Sequence, residues 1–192
     1  ESPYPRWVNL GLTIKPFSIP EVVDRVNLRL HNSKIFEVEK PEILIAGCGT
    51  GQHAIGTAAR FKGSKVLAID LSLSSLAYAK RKTKEHGIEN IKYMQADILD
   101  LNKLNKQFDI IESVGVLHHM DNPMKGWKVL TDCLKPGGLM LIGLYSELAR
   151  QHIVKIRNEI SQLGIGSSNA EMRSFRETII RSDIDHHKLI IK

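Results

Sequence analysis

The 192 residues include 42% hydrophobic and 25% charged side chains, which is enough apolar material for one well-filled domain and excludes an intrinsically disordered chain. No stretch reaches the roughly 18 uninterrupted apolar residues of a membrane span. The N-terminus opens on charged and Pro-rich residues and not on the apolar core of a signal peptide. The 27 basic and 21 acidic residues leave a net charge of +6. That excess is scattered: Lys80, Arg81, Lys82 and Lys84 crowd one predicted helix, and Arg173, Arg176 and Arg181 another. The pattern favours a solvated surface over a nucleic-acid groove. Cys48 and Cys133 stand in no metal-ligand spacing, which fits a reducing, cytoplasmic setting without a membrane partner. Glu1 stands where a start methionine would be, so an upstream segment is expected to be missing.

Pro3, Pro5, Pro16 and Pro20 predict an extended arm over residues 1–20. Its Tyr4-Pro-Arg-Trp7 run either folds over a ligand as a lid or is pinned to the sheet by Trp7. Glu21–Asn32 reads as a helix with Val22, Val23, Val26 and Leu30 on one face. Glu42–Ala46 is a buried strand that runs into a glycine-rich turn, and Gln52–Phe61 follows with helical spacing. Lys65–Asp70 is a second strand. Leu73–His86 is a helix capped by Ser72 or Ser74 and closed by Gly87. Ile91–Gln95 and Phe108–Val114 are the third and fourth strands. Pro123–Leu134 is a helix with proline in its first turn, Lys135–Gly138 a tight turn, and Leu139–Leu144 a fifth strand. Beyond Tyr145, Glu147–Leu163 and Ala170–Arg181 read as helices separated by a break at Gly164–Ser168. Lys188–Lys192 is a short strand or a frayed tail. Strand alternating with helix predicts a doubly wound, mostly parallel α/β sheet with helices on both faces. The whole is read as one domain: arm and helix over 1–40, a ligand-binding core over 41–146, and a helical segment over 147–192.

The sharpest motif is Gly47-Cys-Gly-Thr-Gly51 between a strand and a helix. Glycines let the backbone turn tightly and approach a ligand, while the helix behind offers free N–H groups. A dinucleotide fingerprint would place glycine or alanine at position 52. Gln52 stands there instead, and the third glycine comes one place early. This Gly-x-Gly-x-Gly form resembles the first motif of the Rossmann-like (class I) S-adenosylmethionine (SAM)-dependent methyltransferases. Four later segments extend the likeness: Asp70 at the end of strand two, Gln95-Ala-Asp-Ile98, the run from Phe108 to Met120, and Leu134-Lys-Pro-Gly-Gly-Leu139. Together they cover residues 41–146. Ala46–His53, Asp70–Lys80 and Gly143–Arg150 further resemble methyltransferase domains attached to tetratricopeptide repeats in bacterial proteins.

The resemblance implies SAM as cofactor, with Gly47, Cys48, Gly49, Thr50, Gly51 and His53 along its amino-acid portion. It implies that Asp70, followed by Leu71, accepts the ribose hydroxyls. Asp97 would meet the adenine amino group, with Ile98 packed on the ring, although Asp97 as a helix N-cap is the plainer alternative. The Ser113–Val114 backbone would contact the cofactor's amino group. Methyl transfer is an in-line displacement that depends chiefly on positioning. A base is needed only if the acceptor loses a proton, and the candidates are His118, His119 and Tyr145. The His118–His119 and His186–His187 pairs raise the question of a metal, but no Cys or acidic spacing supports one, so none is expected. The acceptor is expected to be a small molecule or a protein side chain. A nucleic-acid methyltransferase and a non-catalytic SAM-binding domain are the alternatives. The family's last two antiparallel strands are expected to be missing or replaced by helices, which leaves strand five to be covered by helices or by a homodimer partner.

Overall fold

A computed structural model describes residues 3, 6–12, 15–31 and 34–191, for residue 191 the backbone alone. They fall into two compact units, 1–144 and 145–192.

The first unit is built on a sheet whose strands are apolar on both faces. β1 (Glu42–Ala46), β2 (Lys65–Asp70), β3 (Ile91–Gln95), β4 (Phe108–Val114) and β5 (Leu134–Gly143) pair in the order β3-β2-β1-β4-β5. All four pairings are parallel. β1 shows why the sheet must be covered twice. Its side chains alternate with a period of two, sending Ile43 and Ile45 into one core and Leu44 and Ala46 into the other. The first core gathers Ile19, Val23, Ala54, Ala58 and Leu76 from α1 (Ile19–Arg25), α2 (Gln52–Arg60) and α3 (Leu73–Glu85). The second gathers Leu130 from α4 (Pro123–Asp132) with Ile98 and Leu101 from the 3-10 segment Ile98–Leu104. The expected doubly wound α/β fold is the observed one.

The second unit contains α5 (Gln151–Gln162), α6 (Asn169–Arg181) and α7 (Asp185–Ile191), with Ile156, Ile179 and His187 buried. Ser168 caps α6, and its hydroxyl and backbone N–H both bond the Glu171 carboxylate, a reciprocal capping box. None of the helices among the described residues is long and apolar enough to cross a membrane.

Several boundaries differ from expectation for local reasons. The helix expected over 21–32 is only α1. Ser18 and Glu21 form a capping box at its start, Pro20 sits in its first turn, and Asn27 at φ 52° ends the run. Asn32 lies outside the described residues. The Pro-Gly-Gly segment is drawn into β5, with a register irregularity between Phe108 and Ile110 where the strand steps through it. The tail expected as a strand or frayed end is α7. No strand of the described sheet lies beyond β5 to pair with it. The 3-10 turn Lys34–Glu37 packs against β5.

Trp7 resolves the reading of the arm. It is 7% exposed, its indole N–H donates to the Thr50 carbonyl at 3.1 Å, and its own carbonyl accepts from the Tyr78 hydroxyl at 2.5 Å. The ring stacks on His86 with centroids 5.7 Å apart. Trp7 is therefore pinned to the glycine loop and α3, while Tyr4 and Pro5 lie outside the described residues.

Gly51 tests the close approach of this loop to α3. Its φ is +86°, and a Cβ there would lie 2.6 Å from the Ala79 Cβ. Gly51→Ala combines left-handed strain with a core clash and is expected to cost about 2–4 kcal/mol of stability, measured by urea unfolding.

Candidate functional site

The carboxyl ends of β1, β2, β3 and β4 converge on the turn 47–51, the usual place for a ligand in an open parallel sheet. Backbone bonds shape this turn. The Ile69 carbonyl accepts from both the Gly47 N–H at 2.9 Å and the Cys48 N–H at 2.8 Å. Gly47 cannot be replaced by a larger residue, because a Cβ would lie 2.4 Å from Val116 Cγ2 at φ +80°. Gly51 starts α2 in the left-handed region with no side-chain cap, so N–H groups of the first turn face outward unclaimed by a capping side chain.

Asp70, half-buried at the tip of β2, is the organising carboxylate. Its Oδ2 accepts the Gly49 N–H at 2.7 Å and its Oδ1 the Ser72 N–H at 2.9 Å. Each carboxylate oxygen has a second lone pair, so the group stays available to hydroxyls while its orientation is fixed. Asp97 ends β3 and caps the following 3-10 turn, with Oδ1 accepting the Leu99 N–H at 2.9 Å. The helix-cap reading of Asp97 therefore holds. The same residue also faces a crevice of about 160 Å³ lined by Gly47, Asp70, Leu71, Ile98, Val116 and His119 among others. Leu71 is 66% exposed, an apolar side chain presented to solvent at the rim of a polar site.

The other candidates separate. Cys48 is buried in the first core, and its thiol is pushed up to about 12 by burial and then by the Asp70 charge. The Thr50 side chain is buried, and its carbonyl holds Trp7. Ser113 is buried, with its hydroxyl donating to the Ala46 carbonyl at 3.0 Å, while the Val114 side chain beside it is exposed. His119 lines the crevice, and its Nε2 lies 3.1 Å from that of His118. Tyr145 belongs to the second unit, where its ring lies under the Arg150 guanidinium, 3.8 Å from its centroid.

His53 is the least expected of them. It does not line the crevice but a cavity of about 330 Å³ formed by Leu10, Gly11, Leu12, Gln52, Gly56 and Arg60. Behind it stands Glu112, a residue that sequence reading passed over. β4 alternation puts Glu112 on the same face as Ile110, beneath α2, where it is 3% exposed. One Glu112 oxygen accepts the Thr57 hydroxyl at 2.6 Å and lies 2.7 Å from His53 Nε2. Burial opposes ionisation of Glu112 more than any single partner favours it, but the close His53 ring and the Thr57 hydroxyl together hold the carboxyl below its ordinary value of 4.5. A second acid in a buried strand that already carries Asp109 was the available signal. Val116 and Met120 also line the crevice, beside Asp97 and Ile98. That end of the Phe108–Met120 run therefore faces the tips of β2 and β3.

Comparisons with known proteins agree with this geometry. Residues 43–138, half of the chain, match a family model described as a methyltransferase domain. An uncharacterized protein of Synechococcus sp. is 35% identical over 128 residues, covering 66% of this chain and 31% of that protein. A ubiquinone biosynthesis O-methyltransferase of Rickettsia canadensis is 30% identical over 143 residues, covering 74% of this chain and 57% of that enzyme. Among solved structures, PKMT2 from Rickettsia typhi, in complex with AdoHcy, superposes with a TM-score of 0.63 at 22% identity, over 80% of this chain and 33% of that one. The chain thus spans less than two thirds of these curated relatives. It belongs to the methyltransferase family that the model describes, and its fold is that of a SAM-dependent methyltransferase domain.

Glu112 gives a pH test. Because its folded-state pKa is depressed, its stabilising contribution is complete above 4.5 and is lost as the pH falls through the lower folded-state value. Glu112→Gln is expected to cost about 1–3 kcal/mol at pH 7. The gap to wild type in urea unfolding should close only on acidification below 4.5.

Proposed function

We propose that the chain binds SAM across the turn 47–51 and transfers its methyl group to a small-molecule hydroxyl. The single observation that carries this reading is the pair of strand-tip carboxylates, Asp70 and Asp97, facing one crevice with apolar Leu71 and Ile98 between them. When bound, SAM supplies a methyl group already activated by its sulfonium.

The donor set fits the parts of such a ligand. Asp70, held by two backbone N–H groups, offers two oxygens for a ribose diol. Asp97 keeps its Oδ2 without a protein donor among the described residues, a ready acceptor for an exocyclic amine. Leu71 and Ile98 enclose an aromatic base. The amino-acid portion then lies along Gly47–Gly51 and the uncapped start of α2, with the Ser113–Val114 backbone beside it. Cys48, Thr50 and Ser113 contribute backbone only, since their side chains are buried.

A hydroxyl acceptor is proposed from the likeness to the ubiquinone biosynthesis O-methyltransferase, and a hydroxyl must lose its proton. Of the candidate bases, His118 and His119 stand at the exit of β4, with His119 on the nucleoside crevice, and Tyr145 stands in the second unit. We favour His53 for this step. A buried carboxylate 2.7 Å behind its ring orients it, as a proton-accepting histidine needs. Its cavity, walled by Leu10–Leu12 of the arm, is open to an acceptor. Both cysteines are free and buried, in keeping with the cytoplasmic setting proposed for the domain.

Isothermal calorimetry with SAM tests the reading directly, and wild-type protein is expected to bind one equivalent. Asp70→Asn keeps the shape of the side chain but removes its charge. It also turns an amide NH2 toward the Gly49 or Ser72 N–H, so it is expected to weaken binding by about 2–3 kcal/mol and to lower the unfolding midpoint as well. Unaltered affinity would remove Asp70 from the ribose role, and no saturable binding by wild type would remove SAM from the site.

A further inference from the structure

The helical unit 145–192 brings Glu159, His186 and His187 together, and we propose that these three side chains form a binding site for a first-row divalent transition cation such as Zn²⁺. Glu159 projects from α5 and the two histidines from the first turn of α7. Nε2 of His187 lies 2.6 Å from Glu159 Oε2, and Nε2 of His186 reaches Oε1 of the same carboxylate. Neighbours on a helix diverge by about 100°, so the convergence of both rings on one carboxylate is not a product of helix geometry alone.

One ligand atom from each residue lies within 4.8 Å of the others. Small side-chain movements suffice to bring all three to the metal–ligand distances of about 2.0–2.2 Å found in zinc sites. Two imidazoles and a carboxylate suit such a cation, and three protein ligands leave a fourth position for water. His187 is 5% exposed in its side chain, which shields the ligand set. His186 at 19% and Glu159 at 28% leave a path from solvent.

The balance of protons is simple. In the metal-free unit each neutral imidazole can donate an Nε2–H to Glu159. On metal binding Nε2 becomes the ligand and the ring proton moves to Nδ1. For His187 that Nδ1 is buried with no hydrogen-bond partner among the described residues. The outer hydrogen bond that strengthens a metal-bound imidazole is therefore missing, which lowers affinity by about tenfold or more relative to a fully supported site. The ion would clasp α7 to α5, a role that rests on nothing in residues 1–144.

Cobalt(II) titrated into the full 192-residue chain reads the site by its visible absorption. Saturation at one equivalent, with Zn²⁺ displacing Co²⁺, is expected. Glu159→Gln and His186→Ala should each weaken binding about tenfold or more, with helicity unchanged by circular dichroism. If His186→Ala loses helicity, Glu159→Gln decides. Absence of saturable binding by wild type would overturn the proposal and leave the trio as a hydrogen-bonded tie between two helices. Binding that survives Glu159→Gln would overturn it equally, by placing the ion elsewhere, as at His118–His119. SAM calorimetry on the same variants separates a failure here from a failure of the methyltransferase reading.

Discussion

The tip of β2 is the constraint on which the site depends. One carbonyl, that of Ile69, and one carboxylate, that of Asp70, accept three N–H groups of the turn 47–49 between them. Those donors belong to a backbone that the adjoining helix cannot satisfy. With its donors met from the neighbouring strand, the turn can adopt three left-handed glycines in alternation without collapsing on the core. The same contacts fix the spacing between β1 and the residues after β2. The geometry of the turn is therefore tied directly to the parallel pairing of those two strands.

Polar groups inside the sheet follow a second rule, that each must find a partner before it can be buried. Ser113 meets the Ala46 carbonyl across the β1–β4 pair, and Asp109, 5% exposed, accepts both the Glu42 N–H at 2.8 Å and the Lys135 ammonium at 3.0 Å. These contacts lace β4 to its two neighbours. The Glu112–Thr57–His53 group differs because its outer member is half-exposed and reaches a cavity. A buried charge whose partner touches solvent is a costly arrangement for a purely structural strut. That cost is the physical reason to look for chemistry at His53.

The core of the fold was legible because its strands are short, apolar and punctuated. β1 to β4 fall at the expected residues, and α3 ends at Glu85, with Ser72 as its cap and Gly87 beyond it at φ +65°. The turn and its two aspartates were legible for the same reason: glycine and terminal carboxylates mark backbone geometry directly. Pairings distant in sequence were not legible. Nothing near Glu112 announces Thr57 and His53, and nothing near Glu159 announces His186 and His187, because these partners meet only through helix packing. Nor could the Trp7 alternatives be separated without seeing that its indole has an acceptor 43 residues away. Periodicity also failed in the short C-terminal segment, where the three apolar residues at 189–191 fit a strand and a helix equally well.

The position of Trp7 has an optical consequence. The chain has two tryptophans, and this one is bonded to the glycine turn itself while the other, Trp127, sits on α4. Indole emission depends on local polarity and on nearby quenching rings, and His86 is stacked on this one. A Trp127→Phe chain would then glow from a single lamp fastened to the back of the glycine turn, reporting on the packing of that turn against α3 with no dye attached.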